Sequence, residues 1–343
     1  MSLEFRHIAH SYGDVAALHD VSFTAPTGRI TCLLGSSGCG KSTLLNLAAG
    51  LLGVQQGEVL VDGEALASPG ANPAPEKRPV GLVFQDGALF PHMTIAENVG
   101  FGLAKSEAHA VERWLGSVGL AGMGGRYPHE LSGGQQQRAA LARAMAPGPR
   151  VLLMDEPFAS VDIVLRRSLR RECRRLLREA GTTTVLVTHD PEEALDIADN
   201  IAVMERGAIV QFGSPQDLHD NPATASVGAI FGGAQVVEAI REAEGLRTAF
   251  GLWPFASTQG EVPEAGSLEL LVHSAELECY PDEAGLKVRD VHPLASGSRV
   301  LLANEAGDEI TAETDAEVLQ GERYRLVPRG ASLKAFARGA SQK

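Results

Sequence analysis

One stretch near the N-terminus combines the residue types and the spacing that hold phosphate groups. Gly35 and Gly40 stand with four residues between them, and Lys41 and Ser42 follow directly. Because glycine lacks a Cβ atom, the backbone there can turn its N–H groups toward phosphate oxygens. In such a loop the lysine brings a positive charge to the β- and γ-phosphates, and the serine hydroxyl can ligate Mg²⁺. The predicted phosphate-binding residues, called the phosphate loop below, are Gly35, Ser36, Ser37, Gly38, Cys39, Gly40, Lys41, Ser42 and Thr43.

The residues on both sides of the phosphate loop support this interpretation. The apolar run Ile30–Leu34 predicts a buried strand that enters the loop, and Thr43–Gly50 predicts a helix whose N-terminus faces the anion. An ordinary turn rich in glycine and serine is the alternative, since short patterns occur by chance. Strand, loop and helix together favour a nucleotide-binding loop over that alternative.

Polar side chains follow three further apolar runs, each of which is predicted to be a strand. The runs are Val80–Phe84, predicted to be buried, Arg150–Met154 and Thr183–Thr188. The side chains that follow them are Gln85, the adjacent pair Asp155 and Glu156, and His189. In a parallel α/β sheet the ligand site lies at the carboxyl ends of the strands, so one fold could gather these residues beside the phosphate loop. A single Asp or His at a strand end is more often structural, but this combination favours a shared site.

A second glycine-containing motif opens a predicted helix. Leu131–Arg138 precedes an alanine-rich helix that runs to Met145, with Ser132 as its N-cap. Paired glycines at Gly133 and Gly134 are unfavourable inside a helix. We therefore expect that another molecule or segment approaches this backbone closely.

Composition excludes several other classes of protein. The length of 343 residues predicts about two domains, and an apolar content of 44% is ordinary for a globular core. The net charge of −13 argues against general nucleic-acid binding. No run approaches the ~18 apolar residues of a membrane span, and the N-terminus does not predict a signal peptide. The four cysteines lie far apart and predict free thiols in a cytoplasmic protein rather than disulfides or a zinc site.

The remaining sequence predicts a hairpin at the start, a helical insert and a β-rich tail. Leu3–Thr24 alternates apolar and polar residues as an antiparallel hairpin does. Tyr12 in its turn is either a packed aromatic or a ring that stacks on adenine. Helical patterns predict an insert over about residues 90–140, and short strands between glycines and prolines predict a small β domain after Gly232–Gly233.

Seven arginines recur at helical spacing in one segment. They are Arg166, Arg167, Arg170, Arg171, Arg174, Arg175 and Arg178. They predict either a patch that binds phosphate or lipid headgroups, or a solvated helix face with Glu172 and Glu179 for local pairing. The acidic charge of the whole chain favours the solvated face.

In their order and spacing, these motifs resemble the ATP-binding subunits of ABC transporters. The run Leu-Ser-Gly-Gly-Gln that begins at Leu131 is that family's own signature, and the resemblance covers about the first two thirds of the chain. The tail is similar to the C-terminal TOBE-type domain of importers for metal ions, polyamines, sugars and oxyanions, although His273–Ala275 stands where many such tails have Arg-Pro-Glu. The implied fold is α/β: a P-loop NTPase ABC cassette with a mixed sheet and helical insert over residues 1–233. A small all-β, TOBE-like regulatory domain would follow over residues 234–343.

The resemblance implies roles in holding ATP and Mg²⁺. Tyr12 would stack on adenine, and Ser36–Thr43 would hold the phosphates. Ser42 and Gln85 would coordinate Mg²⁺, and Asp155 would hold the ion through water.

The resemblance also implies the catalytic residues and a role for a second copy. Glu156 would be the general base that polarises the attacking water, and His189 would contact the γ-phosphate. The signature residues would close over the ATP of a second copy in a homodimer; they are Ser132, Gly133, Gly134 and Gln135. An intact base and histidine imply a competent ATPase.

The implied partners are integral-membrane permease subunits and, indirectly, a periplasmic substrate-binding protein, with no nucleic acid. The chain would then be peripheral at the cytoplasmic face of the inner membrane. The docking groove would lie around Asp86–Phe101, where Phe90–Met93 is either exposed for docking or packed within the insert.

Two functions of other classes stay open, a soluble ABC ATPase acting on DNA or ribosomes and a non-catalytic ATP-dependent regulator. A single cassette and a negative charge disfavour the first, and intact Glu156 and His189 disfavour the second. For the cargo, the amino-acid sequence around Leu89–Thr94 and Arg126–Glu130 is most similar to that of ferric-iron importers. Polyamine, thiamine, sulfate and sugar importers are the alternatives.

Overall fold

The computed structural model describes residues 1–104, 107, 109–159 and 161–338. Contacts divide the chain into two compact units, Met1–Gln216 and Asp217–Lys343. The predicted domain boundary lay later, after Gly233. The difference arises because the helix over Ala225–Gly232 packs on strands of the second unit, where a Cβ atom on Gly228 would lie 2.4 Å from a Leu271 side-chain carbon.

The first unit alternates strands and helices. Its strands are β1 (Leu3–Tyr12), β2 (Val15–Ala25), β3 (Ile30–Leu34), β4 (Gln56–Val61), β5 (Glu64–Ala67), β6 (Val80–Val83), β7 (Val151–Asp155), β8 (Thr183–Thr188), β9 (Asn200–Glu205) and β10 (Ala208–Gly213). Its helices are α1 (Lys41–Ala49), α2 (Ile95–Gly100), α3 (Ala110–Ser117), α4 (Gly133–Met145), α5 (Ile163–Ala180) and α6 (Pro191–Ile197). Short 3₁₀ helices cover Pro75–Lys77 and Pro128–Glu130, and α7 (Pro215–Asp220) crosses the division between the units.

A six-stranded sheet with the strand order β10-β9-β3-β8-β7-β6 carries the first unit. Strands β9 to β6 run parallel and β10 is antiparallel to β9, so the sheet is mixed, as predicted. Every residue of β3 and of β8 is buried, which is typical of parallel strands covered on both faces. Because β3, β8 and β7 are neighbours, their carboxyl ends meet at one edge of the sheet.

A second, antiparallel sheet with the order β2-β1-β4-β5 packs its apolar side into the same core as α1. Phe5 and Phe23 stack across the β1–β2 hairpin with ring centroids 4.9 Å apart. Leu44 and Leu47 of α1 are fully buried in this core. Each such side chain contributes roughly 1.5–3 kcal/mol relative to an exposed one, so the helix that follows the phosphate loop is firmly held.

Strand β6 differs from its prediction as a buried strand. It ends at Val83, only Val83 is buried, and Phe84 is 41% exposed. The reason is its place at the edge of the sheet, where it pairs with β7 alone. Apolar residues in an edge strand cannot be distinguished from those of a central strand by sequence pattern.

Helices α2, α3 and α4 form the predicted insert around a small apolar core of their own. Ile95, Val99 and Leu115 are fully buried in it. Helix α2 begins with a capping box, in which the Thr94 hydroxyl accepts from the backbone N–H of Glu97 at 3.3 Å. Helix α4 continues to Met145, beyond the predicted end of the insert near residue 140.

The second unit consists mainly of antiparallel strands. They are β11 (Ala234–Glu242), β12 (Gly245–Thr248), β13 (Gly251–Trp253), β14 (Ser267–His273), β15 (Leu277–Pro293), β16 (Ser298–Ala303), β17 (Glu309–Thr314), β18 (Arg323–Pro328) and β19 (Lys334–Ala337). The unit also contains α8 (Ala225–Gly232) and the 3₁₀ helices Phe255–Ser257 and Ser274–Glu276. Two sheets, β13-β12-β11-β14-β19 and β17-β16-β15-β18, enclose a core that contains Trp253 at 1% exposure.

The solvated face that was favoured from the sequence is confirmed for part of the α5 arginines, since Arg167, Arg171, Arg175 and Arg178 are exposed, but it does not hold for Arg170. Arg170 is only 3% exposed and faces three carboxylates of the α6 region. Arg174 donates to the backbone oxygen of Asp196 at 2.7 Å, and Arg178 pairs with Asp199. The local pairing with Glu179 occurs at Arg175, at 2.8 Å. Periodicity placed the arginines on a helix, but the acidic partners come from a segment about 20 residues away in sequence.

The described helices include none that is both long and apolar enough to cross a membrane. The four cysteines are free, and all four are buried.

Candidate nucleotide-binding site

The phosphate loop curls tightly around the ammonium group of Lys41. The lysine is 5% exposed and donates to the backbone oxygens of Gly35 and Ser36, each at 2.8 Å. A Cβ atom on Gly35 would lie 2.2 Å from the carbonyl oxygen of Met204, so no other residue fits there. Gly38 and Gly40 have φ values of 82° and 105°, in the left-handed region that favours glycine.

Helix α1 starts directly after this loop. Its N-cap, Gly40, has no side chain to accept from the N–H groups of the first turn. Ser36, Ser37 and Gly38 are exposed above this helix end. Unpaired N–H groups and the positive end of the helix dipole make the arrangement suitable for an anion such as phosphate.

Ser42 and Asp155 meet at the end of β7. The Ser42 hydroxyl donates to Asp155 Oδ1 at 3.3 Å. Burial raises the pKa of Asp155 above its ordinary value, the adjacent Glu156 charge adds to this, and the Ser42 hydrogen bond and Lys41 act in the opposite direction. A hydroxyl and a carboxylate in contact are the hard oxygen donors that Mg²⁺ takes, and a cation would offset the two adjacent negative charges. These residues therefore fit a magnesium ion.

Glu156 and His189 are brought together by the neighbouring strands β7 and β8. Nδ1 of His189 lies 3.0 Å from Oε1 of Glu156. Glu156 has a positive φ of 42° and donates its backbone N–H to Val187 at 3.0 Å, which directs its side chain away from the strand and toward His189. His189 is exposed and Glu156 is partly exposed, so both can reach a molecule bound beside the phosphate loop.

Tyr12 lies next to the end of the phosphate loop. Its hydroxyl is 3.3 Å from the Thr43 hydroxyl, and its ring makes an edge contact with His10 at a centroid distance of 4.9 Å. The residue is nevertheless 51% exposed. The ring therefore has a packed edge and an open surface, and both interpretations of Tyr12 stay open.

Two groups of predicted site residues are not joined to this cluster. Gln85 is exposed two residues after the end of β6, and in the described part of the chain it forms no hydrogen bond with Ser42 or Asp155. The signature residues begin α4: the Ser132 hydroxyl accepts from the Gln135 N–H at 3.4 Å, and the Gln135 side chain accepts from the Ser132 N–H at 2.9 Å. This confirms Ser132 as N-cap.

The signature glycine Gly134 borders open space. A Cβ atom there would meet nothing within 4 Å outside the helix backbone, and Ser132 and Gly133 are exposed. Packing within the chain thus gives no reason for glycine at this position. The described residues show no close approach to Gly134, so the approach of another molecule stays a prediction.

Sequence reasoning missed Arg78, which holds the far end of α1. Its buried guanidinium donates to the carbonyl oxygens of Leu47 at 2.7 Å and Ala48 at 3.0 Å, where it satisfies the last turn of the helix. Burial lowers the pKa of Arg78. No local pattern marks this residue, because its partners lie about 30 residues earlier.

The insert surface around Phe90 is partly packed and partly open. The Phe90 ring lies 4.6 Å from that of Phe101 and beneath the guanidinium of Arg143 at 5.4 Å. Pro91 and His92 are exposed. Phe90 is therefore packed within the insert and Pro91 and His92 are exposed, while docking of a partner at this segment stays a prediction.

Comparisons with known proteins agree with this geometry. A family model described as ABC transporter matches residues 18–159. The chain is 46% identical to the Fe(3+) ions import ATP-binding protein FbpC of Mesorhizobium japonicum over 241 aligned residues. This alignment covers 69% of this chain and 67% of that protein. It is 40% identical to the sulfate/thiosulfate import ATP-binding protein CysA of Burkholderia mallei over an alignment of 350 residues, which covers 96% of this chain and 98% of that protein.

A solved structure shares the fold of the first two thirds of the chain. It is the ADP conformation of MJ1267, an ATP-binding cassette of an ABC transporter, with a TM-score of 0.58 and 24% identity over 66% of this chain and 98% of that one. The motifs, the fold and a relative that aligns over nearly the whole length lead to one conclusion. The chain belongs to the family of ATP-binding subunits of ABC importers, and it is an ATPase.

Proposed function

We propose that this chain hydrolyses ATP at the cluster described above and thereby powers uptake through separate permease subunits. The observation that carries the assignment of the site is the 3.0 Å contact between Glu156 and His189 at the ends of adjacent strands, beside a phosphate loop with a buried lysine. A general base needs hydrogen-bond reach to a water next to the γ-phosphate, and in this proposal Glu156 has that reach from the edge of the sheet.

Each side chain has a separate task in this proposal. Lys41 and the loop N–H groups hold the phosphates, and Tyr12 contacts the adenine. Glu156 takes a proton from the attacking water, while His189 orients the γ-phosphate. Mg²⁺, when bound, neutralises phosphate charge; Ser42, Gln85 and Asp155 would hold it.

The active unit in this proposal is a homodimer. Ser132 and Gly133 are exposed, Ser132–Gln135 has no partner in the phosphate loop of its own chain within the described residues, and the space above Gly134 is open. The signature residues of one copy would therefore complete the nucleotide site of the other. We further propose that the dimer binds integral-membrane permeases at the cytoplasmic face of the inner membrane and serves a periplasmic substrate-binding protein indirectly.

Two cargoes have support from relatives. Ferric iron is supported by FbpC, which is 46% identical over 69% of this chain, but a sulfate/thiosulfate import protein CysA of Nocardia farcinica is 51% identical over 65%, so identity does not favour iron. Sulfate or thiosulfate is supported by coverage, since CysA proteins of Burkholderia mallei and of Burkholderia pseudomallei each align over 96% of the chain, including the second unit. Full-length alignment is the broader support, because it includes the second unit as well as the cassette. The TOBE-like character of that unit remains part of this proposal.

The test is uptake in the organism of origin after deletion of the gene. Radiolabelled ferric iron and radiolabelled sulfate are supplied separately, and rescue is attempted with the wild type and with Glu156→Gln. We expect loss of one uptake, restored by the wild type alone. Normal uptake of both substrates in the deletion strain would reject both cargoes, and ATP hydrolysis unaffected by any permease partner would reject coupling.

A further inference from the structure

Arg170 lies at the centre of a charged cluster next to the site, and none of the roles above involves it. Its side chain is 4% exposed and belongs to α5. It donates to Asp190 Oδ2, its Nη1 lies 3.4 Å from Asp196 Oδ2, and its Nη2 lies 3.8 Å from Glu193 Oε2. A guanidinium presents its donors in a rigid fork, so this one side chain fixes the start of α6 against α5.

Asp190 differs from the other two carboxylates because it is the residue directly after His189. Its Oδ1 accepts from the N–H groups of Glu192 at 2.9 Å and Glu193 at 3.4 Å, which caps α6. Its Oδ2 accepts from Arg170, so each oxygen has a separate task. Its own N–H donates to the Thr188 hydroxyl at 3.0 Å. The backbone of His189 is thereby held on both sides, by the end of β8 and by the Arg170–Asp190 pair.

We propose that Arg170 and Asp190 form a positioning pair that holds His189 in place against Glu156. Helix α5 follows β7, which ends beside Glu156, and Arg170 on this helix holds the residue that follows His189. The pair therefore links helix α5 to the segment that carries His189. This inference rests on the proposed catalytic roles of Glu156 and His189, which the experiment tests separately.

His189 needs support beyond its contact with Glu156. The contact between His189 and Glu156 is a single 3.0 Å hydrogen bond between partly or largely exposed side chains, so it does not fix the histidine by itself. Without the Asp190 charge, Arg170 keeps only the longer contacts to Asp196 at 3.4 Å and Glu193 at 3.8 Å, so it no longer holds the residue that follows His189. A displacement of about 1 Å in a catalytic group can lower a rate about 100-fold.

The experiment compares Asp190→Asn with the matched control Asp196→Asn in the full-length chain. Asparagine caps a helix as well as aspartate does, so α6 keeps its N-cap while the charge toward Arg170 is lost. We expect Asp190→Asn to lower kcat about 10- to 100-fold and to change KM for ATP less than about twofold. Asp196→Asn removes another partner of Arg170, farther from His189, and we expect nearly unchanged kcat. Asp190→Ser, which also keeps a cap, should behave like Asp190→Asn.

A double-mutant cycle with His189→Ala distinguishes positioning from a general loss of stability. If Asp190 acts through His189, then Asp190→Asn added to His189→Ala should cause no further loss. Equal losses with and without His189, or equal losses in Asp190→Asn and Asp196→Asn, would overturn the inference. Single variants Glu156→Gln and His189→Ala that hydrolyse ATP at the wild-type rate would instead overturn the proposed catalytic site. The two failures are thus separable.

Discussion

Replacement of Gly134 by alanine should raise the stability of this chain and lower its activity. Gly134 is the second residue of α4, and its φ is helical rather than positive. A methyl group there would meet nothing within 4 Å outside the backbone of its own helix. Within one chain, then, alanine removes the conformational cost of glycine and introduces no clash.

The two effects can be estimated separately. Glycine in a helix costs roughly 0.5–1 kcal/mol relative to alanine, so we expect a gain of about 0.5 kcal/mol near the helix start. In a unit of this size that gain corresponds to a rise in Tm of about 1–2 °C. If a nucleotide held by a second copy approaches this backbone, the methyl group overpacks the contact by about 1–3 kcal/mol. The rate of hydrolysis should then fall about 5- to 150-fold.

Gly116→Ala is the matched control. Gly116 lies within α3, is exposed, and would also place its Cβ atom in open space. Both variants should show a higher Tm by differential scanning calorimetry, but only Gly134→Ala should lose phosphate release at saturating ATP. Wild-type turnover in Gly134→Ala would refute the reasoning, because it would mean that nothing approaches this backbone during catalysis. A loss of Tm in Gly134→Ala would refute the claim that the space is open.

Three other predictions concern the site and its surroundings. Glu156→Gln should bind ATP but lose about 100- to 10,000-fold in hydrolysis and accumulate as a closed dimer, which size-exclusion chromatography with ATP detects; rapid turnover would contradict its role as base. Cys39 is 5% exposed and its sulfur lies 3.7 Å from the Lys41 ammonium, so a bulky thiol reagent should react with it slowly and then block nucleotide binding, and ATP added first should protect it. Mass spectrometry identifies the labelled residue. Normal ATP binding after complete labelling of Cys39 would contradict its place in the phosphate loop. Burial raises the pKa of Glu193 from 4.5 to about 7 despite the nearby Arg170. Between these two pH values the folded state holds a proton on Glu193 that the unfolded state releases, so the free energy of unfolding should fall as pH rises from about 4.5 to 7. Glu193→Gln should remove most of that fall in urea titrations at both ends of the window, and an unchanged slope would show that another group is responsible.

Local signals predicted the strand ends and the caps. The phosphate loop, β3, β7, β8 and the Ser132 cap each depend on a few consecutive residues, and all were predicted from the sequence. Their meeting at one edge followed from the geometry of parallel strands, and the mixed sheet was predicted as well.

Features that depend on partners distant in sequence were not predictable in the same way. The edge position of β6 follows from strand order, which its apolar residues do not encode. The burial of Arg170 depends on carboxylates that begin 20 residues later, whereas helical periodicity reports only that an arginine shares a face with its neighbours. The packing of α8 on the second unit likewise moved the division between the units to an earlier residue.

The two glycine motifs of this chain are therefore of different kinds. Gly35 is required by its own chain, because a Cβ atom would strike the Met204 carbonyl. Gly134 is not, since its surroundings are open and its presence in a helix costs free energy. In the proposed homodimer, the reason for glycine at this position is the close approach of the nucleotide held by the second copy. The chain thus contains a complete phosphate loop and an exposed glycine surface without a partner in the described residues, and the proposed homodimer brings the two together.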